Sequence, residues 1–539
     1  MSKPSKISTA LLCLLCLFVA TQVTAQETSI AGRVVASNGN FPIVNARIVA
    51  RAAGGPGSMR VATTDEDGKF QLANLSPGNY VIRIGAAGYI PEPAFATNNL
   101  YRPGENVTIR MIKGGVITGR VVNKNGEPMA LARVRGVRVK DEEGNPVRDA
   151  TTGRDWTTDD RGMYRLYGLE PGSYVVSASF TNMFRAPSTG QGSDAAPTYY
   201  PSATLDGATL VNVNAGNETG GIDIRYRAER SYSVRGIFTG ANAQSGAPLG
   251  RTAISVTLSH AATGVVVGAT TIVPLNGNNA FIFEGLSDGV YELTAQTASG
   301  TSDAAIAPPQ RVNVQGASVT GLVLALTPMG SIAGRVLLET TEPIEACRSA
   351  NPGLVQEALV TAHREVSASK TPSLASLLPV EAKPDQGGEF LLTNMNAGRY
   401  VLDVRPPSRF WFVRDIAWEN TAKPASNDFT LKLGERVQGL RIKLAPGAAS
   451  LAGRVSNADA GLRVYLVPAE KEQENNAFRY ADTAVQADGA FSISNLAPGR
   501  YWLVVREADP ALTRATLRRE AVKTNVAVEL APCQEVIHR

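Results

Sequence analysis

The chain writes one phrase five times. Each copy opens on a glycine in a Gly-x-Val setting or a near variant, at Gly32, Gly119, Gly236, Gly334 and Gly453. Each closes with a turn, a hydrophobic strand, a second turn and a tyrosine, at Tyr80, Tyr174, Tyr291, Tyr400 and Tyr501. A repeat of this length is a folding unit, so it constrains the architecture before any single residue does. No catalytic constellation recurs with the phrase or interrupts it.

Within the first copy, Ser29–Val35 and Val44–Ala50 alternate apolar and polar residues. Phe70–Leu72 and Tyr80–Ile84 do the same. Such period-two runs, separated by turn residues, read as antiparallel strands. Pro77-Gly78 suits a type II turn, because proline fixes φ and glycine accepts the positive φ that follows. Pro171-Gly172 and Pro498-Gly499 repeat it, and Asp288-Gly289 and Ala397-Gly398 keep the glycine alone. The tyrosine always stands two residues after that glycine. A ring there covers the core edge while its hydroxyl reaches backbone or solvent. Each unit then adds a last strand, read at Val107–Met111, Gly221–Arg225, Leu322–Leu326, Leu440–Leu444 and Val526–Leu530. About seven short strands, each burying one face, close most naturally as a two-sheet sandwich. The expected units are 26–113, 114–229, 230–328, 329–446 and 447–539, after a leader at 1–25. Surplus length falls in inserts at 181–207 and 341–383, where Pro352–Ala358 suggests a short helix. Short joints favour end-to-end packing with limited bending.

Three stretches carry a family resemblance. They are Ile30–Val34 with Thr63–Phe70 and Leu75–Tyr80, Thr118–Val121 with Thr157–Tyr164 and Gly168–Tyr174, and Ala452–Val455 with Gln486–Phe491 and Leu496–Tyr501. The text resembles the carboxypeptidase regulatory-like domain, a transthyretin-like (prealbumin-like) β-sandwich. The fourth copy matches fairly and the third weakly. The resemblance implies an all-β chain of tandem Ig-like or transthyretin-like antiparallel sandwiches. It implies accessory domains and no peptidase. It also implies residence in the periplasm or outer envelope of a Gram-negative bacterium. Some relatives share a starch-binding-like fold, so carbohydrate binding is a family-level expectation.

The leader reads as a secretory signal: Lys3 and Lys6, an apolar run from Ile7 to Ala20, then Val23-Thr24-Ala25 before Gln26. The run is short for a membrane span of ~20 residues. No later stretch reaches that length without charges, so no transmembrane segment is expected in the mature chain. Of four cysteines, Cys13 and Cys16 lie in the leader. Cys347 and Cys533 remain, and in an oxidising compartment they form either a bridge between neighbouring units or two buried thiols. The formal net charge of +5 includes the leader's two lysines. For this length that is near neutral and gives no ground for a nucleic-acid partner.

Chemistry-bearing patterns are sparse. The three histidines, His260, His363 and His538, stand far apart and none has a metal-ligand neighbour at motif spacing. There is no Gly-x-Ser-x-Gly elbow and no phosphate-binding glycine loop in context. No cofactor is expected. Asp65, Asp67, Asp159 and Asp160 are weak calcium candidates, since calcium wants six to eight oxygens and a tight turn supplies few. The alternative is an Asp that caps the amides of its own turn. Binding candidates are the aromatic residues of the inserts and late loops: Phe184, Tyr199, Tyr200, Phe410, Trp411 and Phe412. Such rings either stack on sugars or proteins, or cover a joint between units. Trp156 is expected to cover a core edge. The sequence thus predicts a non-catalytic scaffold or adhesion chain that meets a polysaccharide or an envelope protein.

Overall fold

The computed structural model describes residues 29–539 except 55–58, 93–94, 96–99, 148–153, 181–194, 241–252, 274–278, 298–303, 340–343, 348–350, 366–378, 420–426, 457–460, 487, 510–511 and 539. The leader and Phe184 lie outside the described residues. The chain is built almost wholly of β-strands, arranged as tandem small sandwiches. In the first unit, one sheet runs Lys69–Leu72, Ile30–Ala36, Asn106–Lys113, Tyr89–Pro91. The facing sheet runs Met59–Thr63, Arg47–Ala52, Tyr80–Gly85, Leu100–Tyr101. The fourth unit repeats this order strand for strand. Alternate residues such as Ile30, Val34, Ile48, Ile82 and Ile109 point between the sheets and are buried.

The sheets are mixed, where alternation alone had suggested antiparallel pairing. Each opening strand lies parallel to a late strand of its own unit, with Gly32 opposite Val107, Gly236 opposite Leu322 and Gly334 opposite Leu440. In the fifth unit that parallel partner is Glu535–His538 and not the expected Val526–Leu530 run. Ala527–Leu530 instead pairs antiparallel with Gly499–Glu507 in the other sheet. Side-chain alternation reports which face a residue takes but not strand direction, so it could not separate the two.

Both punctuation marks of the repeat have a packing reason. Every opening glycine stands opposite an aromatic residue on the hairpin strand: Phe70, Tyr164, Phe281, Phe390 and Phe491. At Gly334 an added Cβ would lie 2.6 Å from the Phe390 ring and 2.5 Å from the Leu440 carbonyl oxygen. The ring needs the space that a side chain would fill. The closing tyrosines are buried, and each hydroxyl donates to a backbone carbonyl four residues earlier. The acceptors are Ser76 (3.0 Å), Glu170 (2.8 Å), Ser287 (2.8 Å), Asn396 (2.9 Å) and Ala497 (2.7 Å). Burial pushes the Tyr501 phenol up to about 12.

The turn glycines before these tyrosines take φ of +144° at Gly78, +141° at Gly172, +156° at Gly289, +153° at Gly398 and +145° at Gly499. This is further round than a type II turn, and it is a region that L side chains rarely enter. A Cβ at Gly499 would also meet the Arg479 guanidinium and the Glu470 carboxylate. Gly499→Val is therefore expected to destabilise the fifth unit by about 1–3 kcal/mol. The urea midpoint of that unit's transition measures it, and an unmoved midpoint would refute the strained turn.

Among the described residues the helix Arg514–Thr524 departs from the all-β pattern. α1 (Arg514–Thr524) is capped by the Thr513 hydroxyl, which accepts from the Thr516 amide at 3.2 Å. It ends on Asn525 at φ +50°. Leu517 and Ala521, one turn apart, seat it on Val467 and Val504 of the adjacent sheet. In the first and fourth units the corresponding stretch is the edge strand Tyr89–Pro91 or Trp411–Trp418. The expected helix at Pro352–Ala358 is a single 3-10 turn, Val355–Glu357.

Candidate binding surfaces at and beside the joints

Two of the aromatic candidates, Tyr199 and Trp411, meet a neighbouring unit. Tyr199, on the short strand Thr198–Tyr199, is buried with Val137, Val139, Val175 and Leu205. Val265 of the third unit completes that cluster. Tyr200 is half-buried against the second core. Beside them lies a cavity of about 170 Å³, lined by Arg133, Arg135, Tyr199, Val265, Ser287 and Tyr291 among others. The same joint holds His260, which the sequence left as an isolated histidine. Its Nε2 lies 2.9 Å from the Asp206 carboxylate and its Nδ1 3.0 Å from the Thr263 hydroxyl. Its ring meets Tyr291 edge-on. Burial lowers the His260 pKa, with Asp206 pulling the other way.

The folded joint therefore prefers the neutral imidazole, with Nε2–H donating to Asp206. An opened joint binds a proton that the closed one resists. Stability is full above the ordinary histidine value of ~6.5 and falls as pH drops through the lowered folded value. The thermal midpoint of the full chain should fall between about pH 7 and 5, and His260→Gln should flatten that slope. An equal slope in both proteins would contradict the assignment.

At the fourth joint, Trp411 is 6% exposed. Its indole Nε1–H donates to the Pro352 carbonyl at 2.6 Å, within the same unit. The Asn495 side chain, from the fifth unit, donates to the Ser408 and Trp411 carbonyls at 2.7 Å each. Phe410 packs edge-on to Trp411. Phe412 is half-buried on the same strand, opposite Ala445. Cys347 and Cys533 form a disulfide across this joint, with Cα atoms 5.5 Å apart.

A further contact was not foreseen. The first unit folds back onto the fourth, where short joints had suggested an end-to-end string. The Arg405 guanidinium donates to the Leu100 carbonyl at 2.8 Å and lies 3.8 Å from Glu105. Arg102 donates to the Pro406 carbonyl and, through Nε, to Asn79 at 3.1 Å. Asn79 in turn donates to the Glu357 carbonyl at 2.8 Å. Burial and the neighbouring Arg405 push Arg102 down to about 10, and burial lowers Arg405. Asn79 sits between a turn glycine and a closing tyrosine, so the repeat's own turn supplies the contact.

Two of the acidic candidates, Asp65 and Asp159, cap turns. The Asp65 Oδ1 accepts from the Asp67 and Lys69 amides at 3.0 and 2.7 Å. Asp159 does the same with Arg161 and Met163 at 3.0 and 2.7 Å. Asp67 pairs with Lys69, whose hydrogen bond and charge hold its carboxyl low. Asp160 is exposed. Among the described residues no group of three or more His, Cys, Asp or Glu is placed to hold a metal ion. His363 is exposed on the strand Leu359–Arg364.

Trp156 does not cover a core edge. It is 42% exposed and packs edge-on, at 5.6 Å, against Tyr167, itself 37% exposed. The two rings come from Arg154–Thr157 and Met163–Leu169, on different sheets of the second unit. Alternation marks Tyr167 as outward-facing, since Tyr164 and Leu166 point in. That signal was present in the sequence. The approach of Trp156 across the sheet gap was not.

Residues 29–110 and 116–193 match the model of the carboxypeptidase regulatory-like domain. Those residues resemble that domain, within a chain of repeated β-sandwiches. It is 20% identical over 389 residues to serine-aspartate repeat-containing protein D of Staphylococcus aureus, covering 65% of this chain and 28% of that protein. It is 23% identical over 398 residues to protein F of Staphylococcus epidermidis, covering 65% and 21%. The chain therefore spans about a quarter of the length of these relatives. Among solved structures it is similar to a minor pilin of Streptococcus agalactiae, at 14% identity over 37% of this chain and 96% of that one, TM-score 0.21. It is also similar to two B repeat units of the Staphylococcus aureus collagen binding protein, at 12% identity over 78% and 99%, TM-score 0.15.

The staphylococcal relatives overturn the expected Gram-negative periplasm or outer envelope, because Staphylococcus is Gram-positive. Neither the expected leader nor a cysteine pair encodes the type of envelope. Among the described residues no helix is long and apolar enough to cross a membrane.

Proposed function

We propose that this chain is a non-catalytic scaffold that presents surfaces to a protein or glycan partner, built from units 26–113, 114–229, 230–328, 329–446 and 447–539. One observation carries the reading. Residues of the inserts and late loops meet neighbouring units: the Tyr199 ring packs with Val265, and the Ser408 and Trp411 carbonyls accept from Asn495. A chain that fixes its own joints holds its outer loops at set positions, as a presenting surface requires. Cross-linking the full chain on intact cells, followed by recovery of its neighbours, tests this. A reproducible surface partner supports it, and turnover of any substrate by the purified chain would contradict it.

A second reading, carbohydrate binding, is favoured by the exposed Trp156–Tyr167 pair, since open aromatic faces stack on sugar rings. A glycan array probed with the full chain and with Trp156→Ala distinguishes it. Binding lost in the variant supports a sugar site, and silence in both leaves the scaffold reading alone.

A further inference from the structure

At the place in chain order where the first and fourth units have the edge strands Tyr89–Pro91 and Trp411–Trp418, the fifth has α1 (Arg514–Thr524), which packs on the opposite sheet. The buried side of α1 is spent on the sheet through Leu517 and Ala521. Its outer side carries Arg514, Arg519 and Lys523, and the mostly buried Arg518 lies at its flank over Trp502. Its one acid, Glu520, is taken up by Arg506 at 2.8 and 2.9 Å. Between α1 and the 474–480 loop runs a groove of about 810 Å³, lined by those four cations, Tyr480 and the exposed Val522 among others. Glu474 lies 3.4 Å from Arg518. Arg514, Arg519 and Lys523 have no ion-pair partner among the described residues.

We infer that this groove docks an extended acidic peptide segment of a partner protein. Three observations select that occupant. The groove sets four cations against one acid, Glu474, with the apolar Ala515 and Val522 between them, which fits an anion carried on a chain that has apolar surface of its own. The aromatic rings beside it are already covered, by Arg514 over Tyr480 at 5.8 Å and Arg518 over Trp502 at 5.3 Å. A sugar face therefore finds no open ring to stack on. The cations stand at three levels along the helix, residue 514, residues 518 and 519, and residue 523, about 6–7 Å apart at 1.5 Å per residue. Carboxylates at every second residue of an extended strand recur at roughly the same 6–7 Å. This inference is independent of the Trp156–Tyr167 reading.

The test is fluorescence anisotropy of the full chain with a labelled octapeptide of alternating Glu and Thr, at low and physiological salt. Saturable binding is expected at low salt, weakening several-fold at ~0.15 M as exposed charges are screened. The double variant Arg519→Glu with Lys523→Glu should lose at least tenfold in affinity. Both residues are exposed, and an unchanged unfolding midpoint will show that the unit still folds. An octapeptide of alternating Gln and Thr should not bind. Absent binding of the acidic peptide, unchanged affinity in the double variant, or a sulfated oligosaccharide of equal charge binding more tightly than the peptide would each overturn the inference.

Discussion

Replacing Cys347 and Cys533 with serine should lower the stability of the fourth and fifth units by ~2–5 kcal/mol, the largest single effect expected in this chain. The two residues are separated by 186 positions, so the bridge closes a very long loop. Chain-entropy arguments give their largest values for such loops. Its placement also matters. Cys347 ends the 3-10 turn Glu345–Cys347, behind the opening strand of the fourth unit. Cys533 occupies the turn between Ala527–Leu530 and Glu535–His538, at φ +55°, and its amide donates to the Gly447 carbonyl at 3.1 Å. The bridge therefore tethers the turn that launches the fifth unit's parallel strand. Denaturant unfolding of the full chain, with and without reductant, should show one transition moving to lower denaturant while that of the second and third units stays. If reduction moves no transition, the bridge does not contribute as described.

Arg405→Ala should release the first unit from the fourth, with a loss of about 2–4 kcal/mol in the contact between them. Removing one partner from a largely buried charged network strands the others. Here it would leave the Leu100 carbonyl without its donor and the Glu105 carboxylate without the Arg405 guanidinium. The two arginines repel each other, so the contact rests on carbonyls and acids acting together. Amide exchange at Asn79 and Tyr80 should rise in the variant, while exchange at core positions such as Ile48 and Ile442 stays slow. Unchanged exchange at the Asn79 turn would show that Arg405 is not the clasp.

The repeat made the sandwich legible because its two marks have strict steric roles. A glycine under an aromatic ring, as at Gly334 and Phe390, and a tyrosine returning its hydroxyl to a carbonyl four residues back leave little choice of element. Strand direction was not legible, since a parallel and an antiparallel partner show the same alternation. The misplacement of the fifth unit's last strand follows from that. α1 was missed because only Leu517 and Ala521 face the sheet, too few for a visible helical period among Arg, Lys and Glu. Of the candidate site, the aromatic residues were visible as residues and their neighbours were not. Tyr199 meets Val265, and Trp411 meets Asn495, across distances in sequence that no local pattern records. The contact between the first and fourth units is the extreme case, joining Asn79 to Glu357.

Small-angle X-ray scattering of the chain, alone and as Arg405→Ala, probes the locked-scaffold account most directly. The predicted result is a bent, folded-back particle whose maximum dimension is well short of five sandwiches laid end to end, and which lengthens in the variant. A wild-type profile already matching a fully extended five-bead string, and identical to that of the variant, would contradict it.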